Sequence, residues 1–133
     1  MVTVHDPRLL YNAIVTRLVT QTSKPVGNAV RPDGATAPYA VVYPLPDRAT
    51  FGTLTDANQI SLQLFQVTCV GDTMEEAQWM QQKTRLALLG WVPSVTGWVP
   101  NRVELDQGSG VIRDDDGPVV FYTTDRFSLY VDP

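Results

Sequence analysis

Three consecutive aspartates, Asp114 to Asp116, are the residues of this chain whose types are best suited to chemistry. Adjacent carboxylates can ligate a hard metal ion or serve in acid/base catalysis, but they can also form the wet tip of a turn or contact another subunit. A calcium loop places its oxygen ligands at alternate positions and closes with a glutamate, and the segment DDDGPVV has neither feature. The pattern therefore favours a solvated turn or an intersubunit contact.

Other candidates for chemistry are few. His5 and Cys69 are the only histidine and cysteine, so this chain alone lacks the ligands of a usual zinc site. Cys69 alternates with Phe65 and Val67 along a predicted strand, which indicates a small buried hydrophobic residue. The glycine-containing segment at residues 108–110 joins two β segments, and we interpret it as a hairpin turn rather than a phosphate-binding loop. The sequence predicts no enzyme activity, no metal site and no cofactor.

A small metal-dependent nuclease stays open as an alternative. It would use the carboxylates of the aspartate run, to which Glu104, Asp106 and Asp125 could contribute. Such an enzyme also needs a basic groove for DNA. The formal net charge of −4 and the lack of any lysine and arginine cluster argue against a protein that binds nucleic acid.

Length and composition indicate an ordinary globular chain. With 133 residues, 44% of them hydrophobic and 18% charged, we expect a single domain spanning residues 1–133 that has its own core. The N-terminus lacks the pattern of a signal peptide, and no apolar run approaches the ~20 residues needed to span a bilayer. One cysteine rules out an internal disulfide, so we expect folding in a reducing cytosol and no membrane partner.

Two helices are predicted from capping residues and periodicity. Asp6 is a suitable N-cap and Pro7 suits the first helical position, and we expect this first helix to end between Thr20 and Ser23. A second N-cap falls at Asp72 or Thr73, with glutamates positioned for a capping box. The residues expected on the buried stripes are Leu10, Ile14 and Leu18 in the first helix, and Ala77, Met80, Thr84 and Ala87 or Leu88 in the second. Gly90 is the expected C-terminal stop.

Strands are predicted at VGNAV, YAVVYP and QISLQLFQVTCVG, and two or three more within residues 101–131. The segment LPDRATFGTLTDAN is interpreted as a polar loop that exposes Phe51. The alternation in QISLQLFQVTCVG slips near Leu64, which indicates either a bulge or two partly covered faces. The element order α-β-β-β-α-β-β predicts an α+β fold, with a mainly antiparallel β-sheet and two α-helices packed on one face.

The segments PYAVVYPLP, QLFQVTCVGDTMEEAQWMQQKTRLALLG and RDDDGPVVFYTTDRFSLYV occur in an order and spacing that resembles the tail terminator (tail completion) proteins of long-tailed bacteriophages. That group is related in fold to the minor tail protein U of lambda-like phages. The resemblance covers nearly the whole chain, from the first helix to the last strand. It carries no catalytic motif that would transfer to this sequence.

The resemblance implies a structural virion protein without enzyme activity. Such proteins form a homohexameric ring that caps the head-proximal end of the tail tube, stops its polymerisation and provides the surface for head attachment. The implied partners are further copies of the chain, the major tail tube protein and a head-tail connector or stopper protein, while genomic DNA passes through the lumen without specific binding. The implied location is the virion, after assembly in the host cytoplasm. A head-to-tail connector or head completion protein of the phage neck is the nearest alternative.

A closed ring requires two different patches on each subunit. We expect these patches among the loop that carries Phe51, the aspartate tip with its neighbouring arginine, and the polar side of the last strand. The candidate interface residues are Phe51, Asp56, Arg113, Asp114, Asp115, Asp116, Tyr122 and Arg126.

Overall fold

The structure, a computed structural model, describes residues 6–46, 48–51 and 60–132. Within these residues, two helices cover one face of an eight-stranded sheet. The helices are α1 (Pro7–Thr22) and α2 (Met74–Leu88). The strands are β1 (Val26–Asn28), β2 (Tyr39–Pro44), β3 (Arg48–Phe51), β4 (Ile60–Gly71), β5 (Val99–Pro100), β6 (Glu104–Gly108), β7 (Ile112–Asp114) and β8 (Val120–Asp132).

The sheet is built around its two longest strands, β4 and β8, which pair in antiparallel fashion. On the side of β4 that faces away from β8, β2 and β3 pair with successive parts of β4. Strand β1 pairs with β2 in parallel and forms the outer strand on this side. Strands β5, β6 and β7 all pair with the free side of β8. The predicted α+β class, with a mainly antiparallel sheet, is confirmed.

Capping residues fix where both helices begin and end. The Asp6 carboxylate accepts the Arg8 N–H at 3.0 Å at the start of α1, and Ser23 in the left-handed conformation ends it. Thr73 caps α2 by accepting the Glu76 N–H at 3.1 Å. The Glu76 carboxylate accepts the N–H of Asp72, one residue before the cap, which is a displaced form of the predicted capping box.

The core lies between the helices and the face of the sheet that they cover. Both predicted helical stripes are buried, and the α1 members Leu10, Ile14 and Leu18 are fully inaccessible. On the sheet, Phe65 and Phe127 are paired across β4 and β8, and their rings stack with a centroid distance of 5.4 Å. Apart from Ala77 and Thr84, these side chains belong to one hydrophobic cluster, so both helices pack on the same face as predicted.

Apolar and polar residues alternate irregularly in β4 because both faces of this strand are partly covered. Pairing between β4 and β8 runs without a register shift from Ser61 opposite Val131 to Gly71 opposite Phe121, which excludes a bulge in this ladder. Leu64 points away from the helices and is nevertheless half-buried.

Two predicted loops differ in the structure. The polar segment around Phe51 contains β3, whose residues 48–51 pair with β4, so the interpretation as a loop is wrong there and the element order gains a strand. Residues 108–110 do not form a hairpin turn, because β6 and β7 each pair with β8. Ser109 carries the pairing across this interruption, since its N–H donates to the Thr124 carbonyl and its hydroxyl accepts the Thr124 N–H.

Candidate assembly surfaces

The aspartate run forms the hairpin turn between β7 and β8. Asp115 and Asp116 are exposed, and Gly117 takes a φ of 81°, which favours glycine. The Asp114 carboxylate accepts the Asp116 N–H at 2.9 Å, and the Arg113 Nε donates to the Asp115 carboxylate at 2.7 Å. The run is therefore a solvated turn, as the sequence favours, and two of its carboxylates are bound within the hairpin.

Metal chemistry finds no support in this geometry. In the described part of the chain, no three His, Cys, Asp or Glu residues come together in an arrangement that could hold a metal ion. Likewise, none of the described helices is long and apolar enough to cross a membrane.

Tyr122 and Arg126 lie on the face of the sheet opposite the helices, which we call the open face. A cross-strand row on this face joins Tyr39, Val70, Tyr122 and Ile112 through the pairing of β2, β4, β8 and β7. Arg126 lies on the same face four residues further along β8 and is exposed. Tyr122 is half-buried. The open face thus presents aromatic rings and a guanidinium, which are residue types enriched at protein interfaces.

The predicted interface residues do not form one patch. The Asp114–Asp116 turn and Tyr122 lie at the start of β8, whereas Phe51 lies in β3, beside the end of β4 that pairs with Tyr130 and Val131. At 3.3 Å per residue, these two ends of β8 are roughly 30 Å apart. Asp56 lies outside the described residues, and of Phe51 only the backbone is described.

The sequence does not predict an ion pair between a buried carboxylate beneath β8 and a partly exposed arginine of α2. Asp125 is 1% exposed and faces α2, where Arg85 donates to both carboxylate oxygens at 2.8 Å. Gln81 donates to the same carboxylate at 3.0 Å and to the Ser109 carbonyl at 3.1 Å. The sequence signal is an acidic residue on the apolar side of β8 together with Gln81 and Arg85, four residues apart on one flank of α2.

This network fixes α2 against both β8 and the segment that joins β6 to β7. Gly108 leaves room for the guanidinium, because a Cβ at that position would contact the Arg85 Nη2. The pair with Asp125 raises the pKa of the Arg85 guanidinium. A bidentate pair of this kind holds α2 in a fixed orientation against β8. We interpret its role as structural.

Cys69 is buried between β4 and α2, as predicted. Its thiol lies 3.4 Å from the Thr84 hydroxyl. Burial raises the pKa of this thiol to about 11, so it is protonated at neutral pH and is a poor nucleophile.

A cationic cluster surrounds Trp79 on the outer side of α2. The Lys24 and Lys83 amines lie 5.8 and 5.7 Å from the centroid of the indole ring, which is within the range of cation–π attraction. Trp79 is 38% exposed, and these are the only two lysines of the chain. The i, i+4 spacing of Trp79 and Lys83 is visible in the sequence, but the approach of Lys24 depends on the packing of α1 against α2.

Comparison with known proteins supplies a likeness in fold. No protein-family model and no curated protein sequence matches this chain. A solved structure described as the virion of a native gene transfer agent particle contains a chain that matches with a TM-score of 0.70 and 14% identity, over 96% of this chain and 97% of that one. A second protein of known structure, which has no functional name, matches with a TM-score of 0.59 and 15% identity over 98% of both chains. This chain is therefore similar in fold to a component of the virion of a gene transfer agent particle.

Proposed function

We propose that this chain is a structural virion protein that closes into a homohexameric ring at the head-proximal end of a phage tail tube. The ring would stop polymerisation of the tube and provide the surface to which the head attaches. The observation that carries this proposal is the likeness in fold to a virion component along 96% of the chain. The order of segments that resembles tail terminators supports the same role independently.

The exposed surfaces suit a protein that acts by assembly. The open face carries Tyr39 and Tyr43 on β2, and Tyr122 and Arg126 on β8, on the two sides of β4, and such residues favour burial against a partner. Its partners in this role are further copies of itself, the major tail tube protein and a head-tail connector or stopper protein.

Size and charge are compatible with a ring through which DNA moves. A compact chain of this length has a radius of gyration of roughly 14 Å and is on the order of 36 Å across. Six such bodies in contact enclose a hole of about the same width, which exceeds the width of duplex DNA. The net charge of −4 would repel phosphates rather than bind them, so DNA can slide through.

Electron microscopy of assembled tails tests the proposal. Tubes polymerised from the cognate tube protein together with this chain should have a uniform length and one end capped by a ring. Tubes polymerised without it should continue to grow to variable lengths. Equal length distributions in the two samples would contradict a terminator role.

The neck-protein and nuclease alternatives give different results in two further measurements. Cosedimentation with filled heads, and none with purified tubes, would favour a connector or head completion protein. Incubation of the chain with duplex DNA and Mg²⁺ or Mn²⁺ should leave the DNA intact. Cleavage that is lost in Asp115→Ala would show that the aspartate turn is catalytic.

A further inference from the structure

Charged residues are distributed unevenly along the chain. Residues 7–32 contain four basic residues and no carboxylate, whereas residues 99–116 contain five carboxylates and two arginines. The first segment therefore has a formal charge of +4 and the second a formal charge of −3. Two carboxylates flank the first segment directly, Asp33 and Asp6, which pairs with Arg8 at 2.8 Å, so residues 6–33 together carry a formal charge of +2.

The fold places these segments at opposite edges of the sheet. Residues 7–32 form α1 and β1, and β1 is the outer strand on the β2 side. Residues 99–116 form β5, β6 and β7, which border β8 at the other side. A charge imbalance in the sequence thus becomes a polarity across the width of the sheet.

The positive side has a defined binding feature, the cluster of Lys24, Trp79 and Lys83, which we call the cationic edge. The Lys24 amine lies two residues before β1, so the cluster belongs to this side of the sheet. Neither amine forms an ion pair with any carboxylate among the described residues. A lysine above an indole ring keeps its remaining N–H donors available, and the exposed ring adds an apolar contact area.

The negative side, residues 104–116, is called the acidic edge. Two of its carboxylates have arginine partners on their own edge, since Arg102 binds Glu104 at 3.2 Å and Arg113 binds Asp115 at 2.7 Å. The carboxylates of Asp106 and Asp116 are exposed and form no ion pair with the described residues. Asp114 also lacks an ion pair with the described residues, and its carboxylate accepts the Asp116 N–H. The edge therefore offers three carboxylates without a cationic partner in the described part of the chain, two of them exposed.

We propose that copies of this chain associate head to tail, with the acidic edge of one copy bound to the cationic edge of the next. This inference rests on the proposed ring and names the two surfaces that close it. Two copies placed with like edges together would repel each other, so the charges favour the heterologous contact that a cyclic ring requires. The open face is then left for other components of the particle.

Cysteine cross-linking tests the contact directly. Cys69 is 1% exposed, so the wild-type chain supplies a background without an accessible thiol. The variant Lys24→Cys/Asp116→Cys, treated with a short bis-maleimide on tail tubes and in solution at low ionic strength, should give a ladder of products up to the hexamer. The matched controls Lys24→Cys and Asp116→Cys should remain monomeric, because a head-to-tail contact never brings two identical edges together.

The outcomes separate this contact from the proposed function. Capped tubes without a ladder would overturn the contact and leave the terminator role in place. Dimers from either single variant would indicate a symmetric contact and overturn the inference as well. A ladder in solution, together with tubes that the protein does not cap, would support the contact and contradict the terminator role.

Charge exchange supplies a second test that also addresses other occupants of the cationic edge. Lys24→Glu/Lys83→Glu and Asp106→Lys/Asp116→Lys should each lower self-association at low ionic strength by about tenfold or more in sedimentation velocity. The chain that carries all four changes should recover to within about twofold of wild type, because the complementarity is restored with opposite sign. The contact is wrong if self-association of the combined variant stays as weak as that of its two parents. It is also wrong if Lys24→Glu/Lys83→Glu loses affinity for a labelled DNA duplex instead of losing self-association.

Discussion

Replacing Arg85 with methionine should destabilise the protein far more than replacing Asp125 with asparagine. The Asp125 side chain is 1% exposed, whereas the Arg85 side chain is 35% exposed and can be hydrated when its partner is lost. In Arg85→Met, the carboxylate stays buried and retains only the hydrogen bond from Gln81, at 3.0 Å. In Asp125→Asn, the buried group is neutral and still accepts a hydrogen bond.

The expected magnitudes follow from this asymmetry. Removal of one partner of a buried pair costs about 3–5 kcal/mol when it leaves an uncompensated charge inside the protein. Loss of the charge-assisted hydrogen bonds in Asp125→Asn costs about 1.5–3 kcal/mol. For a chain of this length, the larger loss lowers Tm by roughly 10–20 °C. The double variant Arg85→Met/Asp125→Leu should regain most of the stability, because it buries no charge.

Urea denaturation, followed by tryptophan fluorescence and by circular dichroism, measures these differences. The two signals should give the same midpoint, and the dependence of the free energy of unfolding on urea should be unchanged, so that a shifted midpoint reports stability alone. Equal losses of less than about 1 kcal/mol in both single variants would refute the reasoning. The pair would then behave as a surface ion pair.

Three further substitutions test the helix cap, the helix–sheet contact and the buried thiol by the same assay. Thr73→Ala removes the acceptor of the Glu76 N–H and should cost about 1 kcal/mol, while Thr73→Ser should be nearly neutral. Gly71→Ala should cost about 1–3 kcal/mol, because the new Cβ would lie 2.5 Å from the Ala77 nitrogen, and an unaffected variant would contradict this packing. The Cys69 thiol of the folded chain has a pKa of about 11 and stays protonated above pH 9, whereas the thiol of the unfolded chain loses its proton there. The free energy of unfolding therefore falls as pH rises from about 9 to 11. Wild type should lose about 2 kcal/mol more than Cys69→Ala between about pH 8 and pH 10.5, and parallel losses would refute this origin.

Local signals in the sequence were sufficient to predict the elements that are bounded by their own capping residues or prolines. Strand β2 is bounded by Pro38 and Pro44, and α2 is capped by Thr73 and ends before Gly90. In both elements the hydrophobic periodicity and the boundary residues predict the same limits. The observed bounds of these elements match the predicted ones because tertiary contacts do not override the local preferences.

Elements that depend on a partner strand were missed or misassigned. The segment RATF has little strand preference of its own, and residues 48–51 become β3 because β4 offers a free side. The glycines at 108 and 110 favour a turn locally, but the pairing of β6 and β7 with β8 keeps the segment extended. The candidate site shows the same limit, since the aspartate turn was predicted and the cluster of Lys24, Trp79 and Lys83 was not.

The borders of the sheet consist of short and interrupted pieces. Strand β1 has three residues, β5 has two and β7 has three, while β6 shifts register between Leu105 and Gln107. Such borders cannot template a continuous backbone ladder with another molecule, which is the usual route to fibres. These borders therefore disfavour irreversible joining of copies through their backbones, and any contact made at them depends on side chains, whose interactions are reversible.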